Sequence, residues 1–107
     1  MKRVGFLLEV RQDKVDEYVK NHEHVWEDML QALRESGWHN YSLFIREDGL
    51  LFGYLETEES LAAAQAKMAE REINTRWQEF MTPYFESPDN ARPDEMFYEL
   101  KEIFHLD

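Results

Sequence analysis

A tight hairpin in the middle of the chain constrains the fold more than any other feature of the sequence. The segment Glu47–Gly49 separates two runs of strand-forming residues, 40–46 and 50–56. An acidic residue followed by glycine is a strong hairpin signal, because glycine adopts the left-handed backbone of such turns without steric cost. The first run alternates in polarity, and one face of the predicted strand carries Tyr41, Leu43 and Ile45. The sequence therefore predicts an antiparallel pair of strands in the middle of the chain.

A long helical pattern precedes the hairpin. The predicted helix begins with Asp13 as its N-cap and continues to Ser36. Gly37 follows at the position where glycine commonly ends a helix, because the chain turns left-handed there. The apolar side of this helix is predicted to carry Val15, Tyr18, Val25, Trp26, Met29, Leu30 and Leu33.

A second helical region follows the hairpin in two parts. The first part, 61–68, is rich in alanine, and the second part begins at Asn74 as its N-cap and ends before Pro83. Apolar runs near the two ends of the chain, 3–10 and 96–106, are predicted strands. The resulting order, βαββαβ, is that of a ferredoxin-like α+β fold.

This order leaves one face of the sheet without a cover. Both helical regions pack on the same face of the antiparallel sheet, while large residues remain for the opposite face. The chain has three Trp, five Tyr and seven Phe in 107 residues, more large rings than a small monomer usually hides. We therefore expect a single domain, residues 1–107, that pairs sheet to sheet with a second copy as a dimeric α/β barrel.

Composition excludes several kinds of function. There are 23 acidic residues against 12 basic residues, a net charge of −11, which disfavours nucleic acid because that binding depends on Lys and Arg at phosphates. The absence of Cys removes disulfides, thiolate metal sites and a Cys nucleophile. The absence of Cys is consistent with a reducing compartment, and we expect a cytoplasmic location. No apolar window approaches the length of a membrane span, so we expect no membrane partner. A small neutral ligand is the natural partner of such a chain.

One side of the first predicted helix combines groups that suit a sugar. His22 lies four residues after Tyr18 and four before Trp26, so the three rings are neighbours on a helix. An imidazole can transfer a proton near neutral pH, and the flanking rings can contact a small polar, uncharged ligand. The alternative is that His22 is a hydrogen-bonded core residue, the commoner role of a histidine on an apolar face. Tyr41 and Trp77 have the same two interpretations, packing or binding.

The histidines do not predict a metal site. His22 and His24 are two residues apart and point to different sides of a helix, whereas a helical zinc site uses a spacing of four. With only four Gly residues, neither a phosphate-binding loop nor a dinucleotide fingerprint is visible. We therefore expect no metal and no cofactor.

Taken together, the motifs of the whole chain resemble the L-rhamnose mutarotase family. Each motif is weak alone, but their combination in this order is specific, and it consists of Phe6, Glu17-Tyr18, His22, Trp26, His39-Asn40-Tyr41, Leu51-Phe52, Arg76-Trp77, Phe80-Met81, Pro88-Asp89-Asn90 and Phe104-His105-Leu106. The resemblance implies a dimeric α/β barrel and an isomerase of the aldose-1-epimerase type that works without metal or nucleotide.

The resemblance also implies roles for particular side chains. His22 corresponds to the family's proton donor, and the sugar contacts correspond to Tyr18, Tyr41 and Trp77. The family commonly has a second Trp next in sequence, where this chain has Gln78. We expect Gln78 to contact the sugar with an amide in place of an apolar wall. The expected substrate is a monosaccharide, L-rhamnose or a related 6-deoxy-hexose.

Two other functions remain open at this point. A cofactor-free monooxygenase-like enzyme on the same barrel would need a deeper and more apolar pocket for an aromatic substrate. A non-catalytic sugar-binding or dimerisation module would tolerate the loss of the second Trp. The presence of Tyr18, His22 and Tyr41 together favours an enzyme over such a module.

Overall fold

The computed structural model describes residues 1–86 and 91–107, and the Pro88-Asp89-Asn90 motif lies outside the described residues. Its regular elements are, in chain order, β1 (Lys2–Glu9), α1 (Val15–Asn21), α2 (Glu27–Glu35), β2 (His39–Ile45), β3 (Leu50–Thr57), α3 (Leu61–Ala69), α4 (Glu72–Met81) and β4 (Tyr98–Leu100). Short 3₁₀ turns occupy Gln12–Lys14, Thr82–Tyr84 and Pro93–Glu95. Among the described residues, 1–86 and 91–107, none of the helices has the length and apolar character that a membrane crossing needs.

The four strands form one antiparallel sheet in the order β2-β3-β1-β4. This arrangement is ferredoxin-like, and it confirms the α+β class predicted from the sequence. β1 pairs with β3 over its whole length, from Lys2 opposite Thr57 to Glu9 opposite Leu50. Its other edge pairs with β4. The central position of β1 explains why its sequence is a nearly continuous apolar run.

The predicted hairpin joins β2 to β3. Gly49 has a φ of 98°, and a β-carbon at this position would collide with the backbone oxygen of Val10. The Arg46 nitrogen donates to the Leu50 oxygen at 2.8 Å and closes the turn. Glycine fits here because it allows the positive φ and leaves room for the neighbouring backbone.

The single long helix predicted before the hairpin is wrong, because the chain forms two shorter helices with a break between them. α1 ends at Asn21 and α2 begins at Glu27. In a continuous helix the Tyr18 carbonyl would accept the backbone N–H of His22, but it accepts the imidazole Nδ1 at 2.8 Å. The backbone N–H of His22 donates to the Val19 carbonyl at 3.1 Å. The imidazole thus occupies the acceptor that a continuing helix would use, at the point where α1 ends.

Two predicted N-caps are also wrong. Asp13 lies in a 3₁₀ turn, and α1 begins after Lys14 without a side-chain cap. Asn74 lies inside α4, which begins at Glu72, and only 2 % of its surface is exposed. Its amide forms hydrogen bonds inside the fold, and these replace the capping role that its residue type suggested.

The last predicted strand, 96–106, is too long. β4 covers Tyr98–Leu100, and residues 101–107 are exposed without regular structure. Side chains connect this segment to β1, because the Arg3 guanidinium donates to both carboxylate oxygens of Glu102 at 2.9 and 3.0 Å. An apolar pattern alone cannot distinguish this exposed segment from a paired edge strand.

The two faces of the sheet have different surroundings. The face toward the helices is buried and carries Val4, Phe6, Leu8, Leu51 and Leu55. On the opposite face, large rings contact solvent, namely Phe44, Phe52 and Tyr98. The open face with large residues that the sequence predicts is therefore present.

Candidate active site

A cavity of about 320 Å³ lies between the sheet and the helices. Most of its lining is apolar, and it includes the aromatic side chains of Trp38, Tyr41, Trp77 and Phe97. The polar groups in the lining are few, and they come from His22, Gln65, Asn74, Gln78 and Asp94. A mostly apolar cavity with a few convergent polar groups is typical of a small-molecule site.

The side chains predicted to form the site lie together. A smaller cavity of about 60 Å³, which shares much of its lining with the first, is bordered by all five of them: Tyr18, His22, Tyr41, Trp77 and Gln78. Of these, Tyr18 is absent from the lining of the larger cavity. Residues from α1, β2 and α4 thus converge on one place, while their individual roles remain predictions.

A hydrogen bond to the backbone at the end of α1 fixes the orientation of the His22 ring. Its Nδ1 donates to the Tyr18 carbonyl at 2.8 Å, so the neutral ring carries its proton on Nδ1 and leaves Nε2 as an acceptor. Burial lowers the pKa of His22 from its ordinary value of 6.5, against a weaker opposing effect of the Tyr18 hydrogen bond. The imidazole is therefore a neutral base at physiological pH.

The aromatic neighbours of His22 differ in part from the prediction. The Tyr18 ring is a neighbour as predicted, at a centroid distance of 4.3 Å. The second neighbour is Trp77, edge-on at 5.5 Å. Trp26, which was predicted beside His22, lies across the helix break and packs edge-on against Trp77 at 5.0 Å. The break thus places Trp26 behind Trp77, and Trp77 takes the position beside the imidazole.

Two tyrosines, Tyr18 in the core and the partly buried Tyr41, add hydroxyl groups that stay protonated. Burial raises the pKa of Tyr18 and of Tyr41 well above the ordinary value of 10.0, so each phenol remains a neutral donor. Tyr41 follows Asn40, whose φ of 46° accompanies an extra residue in β2 between His39 and Ser42. Asparagine tolerates this left-handed conformation. Such a bulge re-aims nearby side chains, and Tyr41 lines the cavity.

Gln78 lines the cavity, but its amide already has partners. Its Nε2 donates to Asn74 Oδ1 at 3.1 Å, and its Oε1 accepts from the Asp94 backbone N–H at 3.1 Å. The Asn74 Nδ2 also donates to the Asp94 carboxylate at 3.1 Å. Sequence analysis missed Asn74 and Asp94 as site residues. The spacing of four between Asn74 and Gln78 is a signal for that pair, whereas no local pattern connects either residue to Asp94.

Two rings that line the cavity pack against Phe6, whose place in the core depends on a residue without a side chain. Phe6 is fully buried and lies opposite Gly53 in the sheet. A β-carbon on Gly53 would collide with the Phe6 ring, so the ring occupies the space that glycine leaves. Phe97 stacks on Phe6 at a centroid distance of 4.0 Å, and Tyr41 lies 6.3 Å from it. Gly53 therefore helps to position two rings of the cavity wall.

The described residues contain no cluster of side chains that suits a metal ion. Within residues 1–86 and 91–107, no group of three or more His, Asp or Glu side chains is placed to hold a metal ion. His24 is exposed in the turn after α1, and His105 pairs with Asp107 at 3.0 Å near the C-terminus. The expected independence from metal stays a prediction that chelation tests.

These features define an α+β protein of ferredoxin-like architecture, with a small-molecule cavity between sheet and helices and a hydrogen-bonded histidine in its lining. A family model described as L-rhamnose mutarotase matches residues 3–106. The chain belongs to the L-rhamnose mutarotase family.

Similarity to individual proteins extends over the full length. The chain is 41 % identical over 108 residues to the L-rhamnose mutarotase of Oceanobacillus iheyensis, and 39 % identical over 108 residues to that of Bacillus subtilis, with 100 % of each chain covered. The crystal structure of L-rhamnose mutarotase from Formosa agariphila matches with a TM-score of 0.80 at 26 % identity and covers 100 % of both chains. A mutarotase is an isomerase that interconverts anomers, so the predicted reaction class is confirmed. A monooxygenase-like enzyme and a non-catalytic module are not favoured.

Proposed function

We propose that this protein interconverts the α and β anomers of L-rhamnose and that His22 transfers the protons. The observation that carries the proposal is the state of the imidazole. Its Nδ1 is bonded to the Tyr18 carbonyl, and its ring lines a cavity shared with Tyr41 and Trp77. The names of the relatives support L-rhamnose as the substrate.

The reaction needs two proton transfers and no redox change. Nε2 of His22 takes the proton of the anomeric hydroxyl while the bond between the anomeric carbon and the ring oxygen breaks. The electron pair of that bond goes to the ring oxygen, which receives the proton from the imidazolium. The aldehyde rotates, and the ring closes on its other face by the reverse transfers. A neutral imidazole suits this sequence because one group must serve as base and then as acid.

The other predicted residues have binding roles in this proposal. The phenols of Tyr18 and Tyr41 donate to sugar oxygens, since burial keeps both protonated. Trp77 supplies an apolar wall beside His22, at a centroid distance of 5.5 Å, for the C–H groups of the sugar. Gln78 contacts the sugar with the part of its amide that its protein partners leave free. Substrate and product are neutral isomers, so the proposed reaction includes no cofactor.

We also propose that two copies pair through the open face of the sheet as a homodimeric α/β barrel. Phe44 and Phe52 lie on this face with ring centroids 6.3 Å apart, and 62 % and 37 % of their surfaces are exposed. Tyr98 adds a third exposed ring on the same face. Contiguous exposed apolar groups of this kind mark protein interfaces, and a second copy offers a matching surface.

Saturation-transfer NMR of the anomeric protons tests the proposed activity. The folded protein is expected to raise the exchange rate of L-rhamnose above that of the buffer, and other 6-deoxy-hexoses in the panel measure the substrate range. Treatment with a chelator is expected to leave the rate unchanged. Folded protein without exchange on L-rhamnose would contradict the function, and activity lost to chelator and restored by zinc would assign the chemistry to a metal.

The proposal places the protein in the cytoplasm and includes neither a nucleic acid nor a membrane as a partner. Fractionation of the cells that produce it tests the location. Gel-shift and liposome-flotation assays, both expected to show no binding, test the two excluded partners.

A further inference from the structure

A carboxylate lies at the polar end of the cavity. Within the described part of the chain, Asp94 is the one acidic residue in the lining of the 320 Å³ cavity, and 16 % of its side chain is exposed. The lining on the other sides is largely apolar and aromatic. A charged group is costly to bury without partners, so the contacts of Asp94 show how the charge is held there.

Three hydrogen bonds reach the Asp94 carboxylate. Arg92 donates from Nε to Oδ1 at 3.1 Å and from Nη2 to Oδ2 at 2.9 Å, and Asn74 donates to Oδ2 at 3.1 Å. An ionised carboxylate has about four acceptor positions. Within the described residues one position therefore remains, and it belongs to Oδ1.

The backbone around the carboxylate is fixed as well. The Asp94 N–H donates to Gln78 Oε1 at 3.1 Å, and the Asp94 carbonyl accepts from Gln65 Nε2 at 2.8 Å. Side chains from α3 and α4 thus hold this segment against the cavity. The carboxylate is positioned before a ligand arrives, which lowers the entropic cost of binding.

The neighbouring amide offers the complementary group. Gln78 Nε2 has two N–H donors, and one of them is used by Asn74 Oδ1 at 3.1 Å. No acceptor in residues 1–86 or 91–107 takes the second donor, which is left for a ligand. This corner of the cavity therefore offers an acceptor on Asp94 and a donor on Gln78, and a hydroxyl group can use both because it donates and accepts.

We propose that Asp94 and Gln78 together bind one hydroxyl of the sugar that is not on the anomeric carbon, and that this contact orients the sugar toward His22. The inference rests on the proposed function and names its specificity-determining residue. A carboxylate at this position favours a neutral polyol and repels sugar acids and sugar phosphates. A sugar that lacks the recognised hydroxyl leaves the buried carboxylate without its last partner, and that omission is penalised more strongly than a missing apolar contact.

Asp94 also holds the turn Pro93–Glu95 in place, so a simple loss of activity would not separate binding from structure. The two roles are separated when changes in the enzyme are combined with changes in the substrate, as in a double-mutant cycle. The anomeric exchange rate per enzyme at subsaturating sugar is measured for L-rhamnose and for three analogues, each with fluorine in place of the hydroxyl on the second, third or fourth carbon. Fluorine cannot donate to a carboxylate, so the wild-type protein is expected to lose about 10- to 100-fold on one analogue.

The isosteric variant Asp94→Asn removes the charge. It is expected to lose a similar factor on L-rhamnose and to show no further loss on the analogue that the wild type rejects. A merely structural role would lower the rate on all four sugars by one common factor, and that result would overturn the proposal. The matched control is Glu95→Gln, which perturbs the same turn by weakening the bond that Glu95 Oε1 accepts from the Arg92 N–H at 2.8 Å. It is expected to leave the order of the four sugars unchanged.

Circular dichroism shows whether Asp94→Asn folds. If it does not, two other measurements still test the proposal. The first is the set of wild-type rates on the four sugars. Equal rates for L-rhamnose and all three analogues would overturn the proposal without any variant. The second variant, Asp94→Glu, keeps a carboxylate for Arg92 but moves it by one methylene, and it is expected to change the relative rates of the four sugars. Wild-type protein without exchange on L-rhamnose would instead reject the proposed function, which is a different result.

Discussion

The imidazole Nδ1 of His22 donates a hydrogen bond to the backbone carbonyl of Tyr18 at 2.8 Å. This contact takes the acceptor that would extend α1, and the helix ends there. It also fixes the tautomer, which makes Nε2 the basic atom of the ring. One residue thus determines the local backbone and carries the proposed chemistry.

Replacement of His22 is expected to remove most of the activity. Positioned proton transfer typically supplies 10²- to 10⁴-fold in rate, so His22→Ala should lower anomeric exchange by about 10²-fold or more. The matched control is His24→Ala, since His24 is exposed in the same turn and should retain the wild-type rate. Circular dichroism verifies that both variants fold. Near-normal exchange by folded His22→Ala would move the role to another group.

The pH dependence of exchange follows from the direction of the His22 pKa. Burial lowers this pKa from 6.5, and the neutral ring acts as the base. The rate is therefore expected to fall as the pH drops, with a midpoint below 6.5. Because the unfolded chain binds this proton more readily, the same shift lowers folding stability as the pH falls through that window. Exchange after subtraction of the buffer rate measures the profile, and a midpoint above 6.5 would contradict the assignment.

The Gln78 amide is expected to stabilise the fold as well as to contact the sugar. Gln78→Leu leaves the Asn74 Oδ1 and the Asp94 N–H without their partner. An unsatisfied buried polar group costs about 1–3 kcal/mol, so the free energy of unfolding should fall by at least that amount in urea titrations. The control is Gln31→Leu, because the Gln31 amide bonds Glu35 on the exposed surface of α2. Equal stability of the two variants would show that the buried network contributes nothing.

A side chain at Gly53 is expected to disturb the packing behind the cavity wall. The β-carbon of Gly53→Ala would occupy the space of the Phe6 ring, and overpacking of this kind costs about 1–3 kcal/mol. The displaced ring should also shift Phe97 and reduce exchange. In the control Gly5→Ala, the new β-carbon would lie 3.2 Å from the Phe52 ring on the open face. Thermal unfolding compares the two, and a larger loss for Gly5→Ala would contradict this account.

A charge on the open sheet face is expected to separate the proposed dimer. Light scattering of the wild type should give about twice the 13.0 kDa of one chain. Phe44→Asp puts a charge at a ring that is 62 % exposed and should shift the mass toward the monomer. Val19→Asp is the control, since Val19 is 42 % exposed on α1. A wild type that stays monomeric at micromolar concentration would refute the dimer.

Local patterns in the sequence were sufficient to predict the order of the elements. The alternation at Tyr41, Leu43 and Ile45, the hairpin turn at Gly49 and the helix stop at Gly37 each depend on neighbouring residues, and the structure contains all three features. Such signals are reliable because the backbone preference of glycine and the two-residue period of a strand act over a few residues.

The break after α1 could not be predicted in the same way. No Gly or Pro occurs between Asn21 and Trp26, and at the end of α1 the imidazole of His22 bonds the Tyr18 carbonyl while its backbone N–H bonds the Val19 carbonyl. Periodicity therefore predicted Trp26 beside His22. The tertiary structure places Trp77 there, with its ring centroid 5.5 Å from that of His22.

The sequence by itself determined the fold class, the family and five side chains that border one cavity. The tertiary structure alone decided which atom of His22 is basic, and it joined Asp94 to Gln78 and Asn74. These residues are 16 and 20 positions from Asp94, and no periodicity of helix or strand relates positions so far apart. Contacts of this kind arise only when α4 and the turn Pro93–Glu95 meet in the folded chain, because hydrogen bonds depend on distances between atoms rather than on spacing along the sequence.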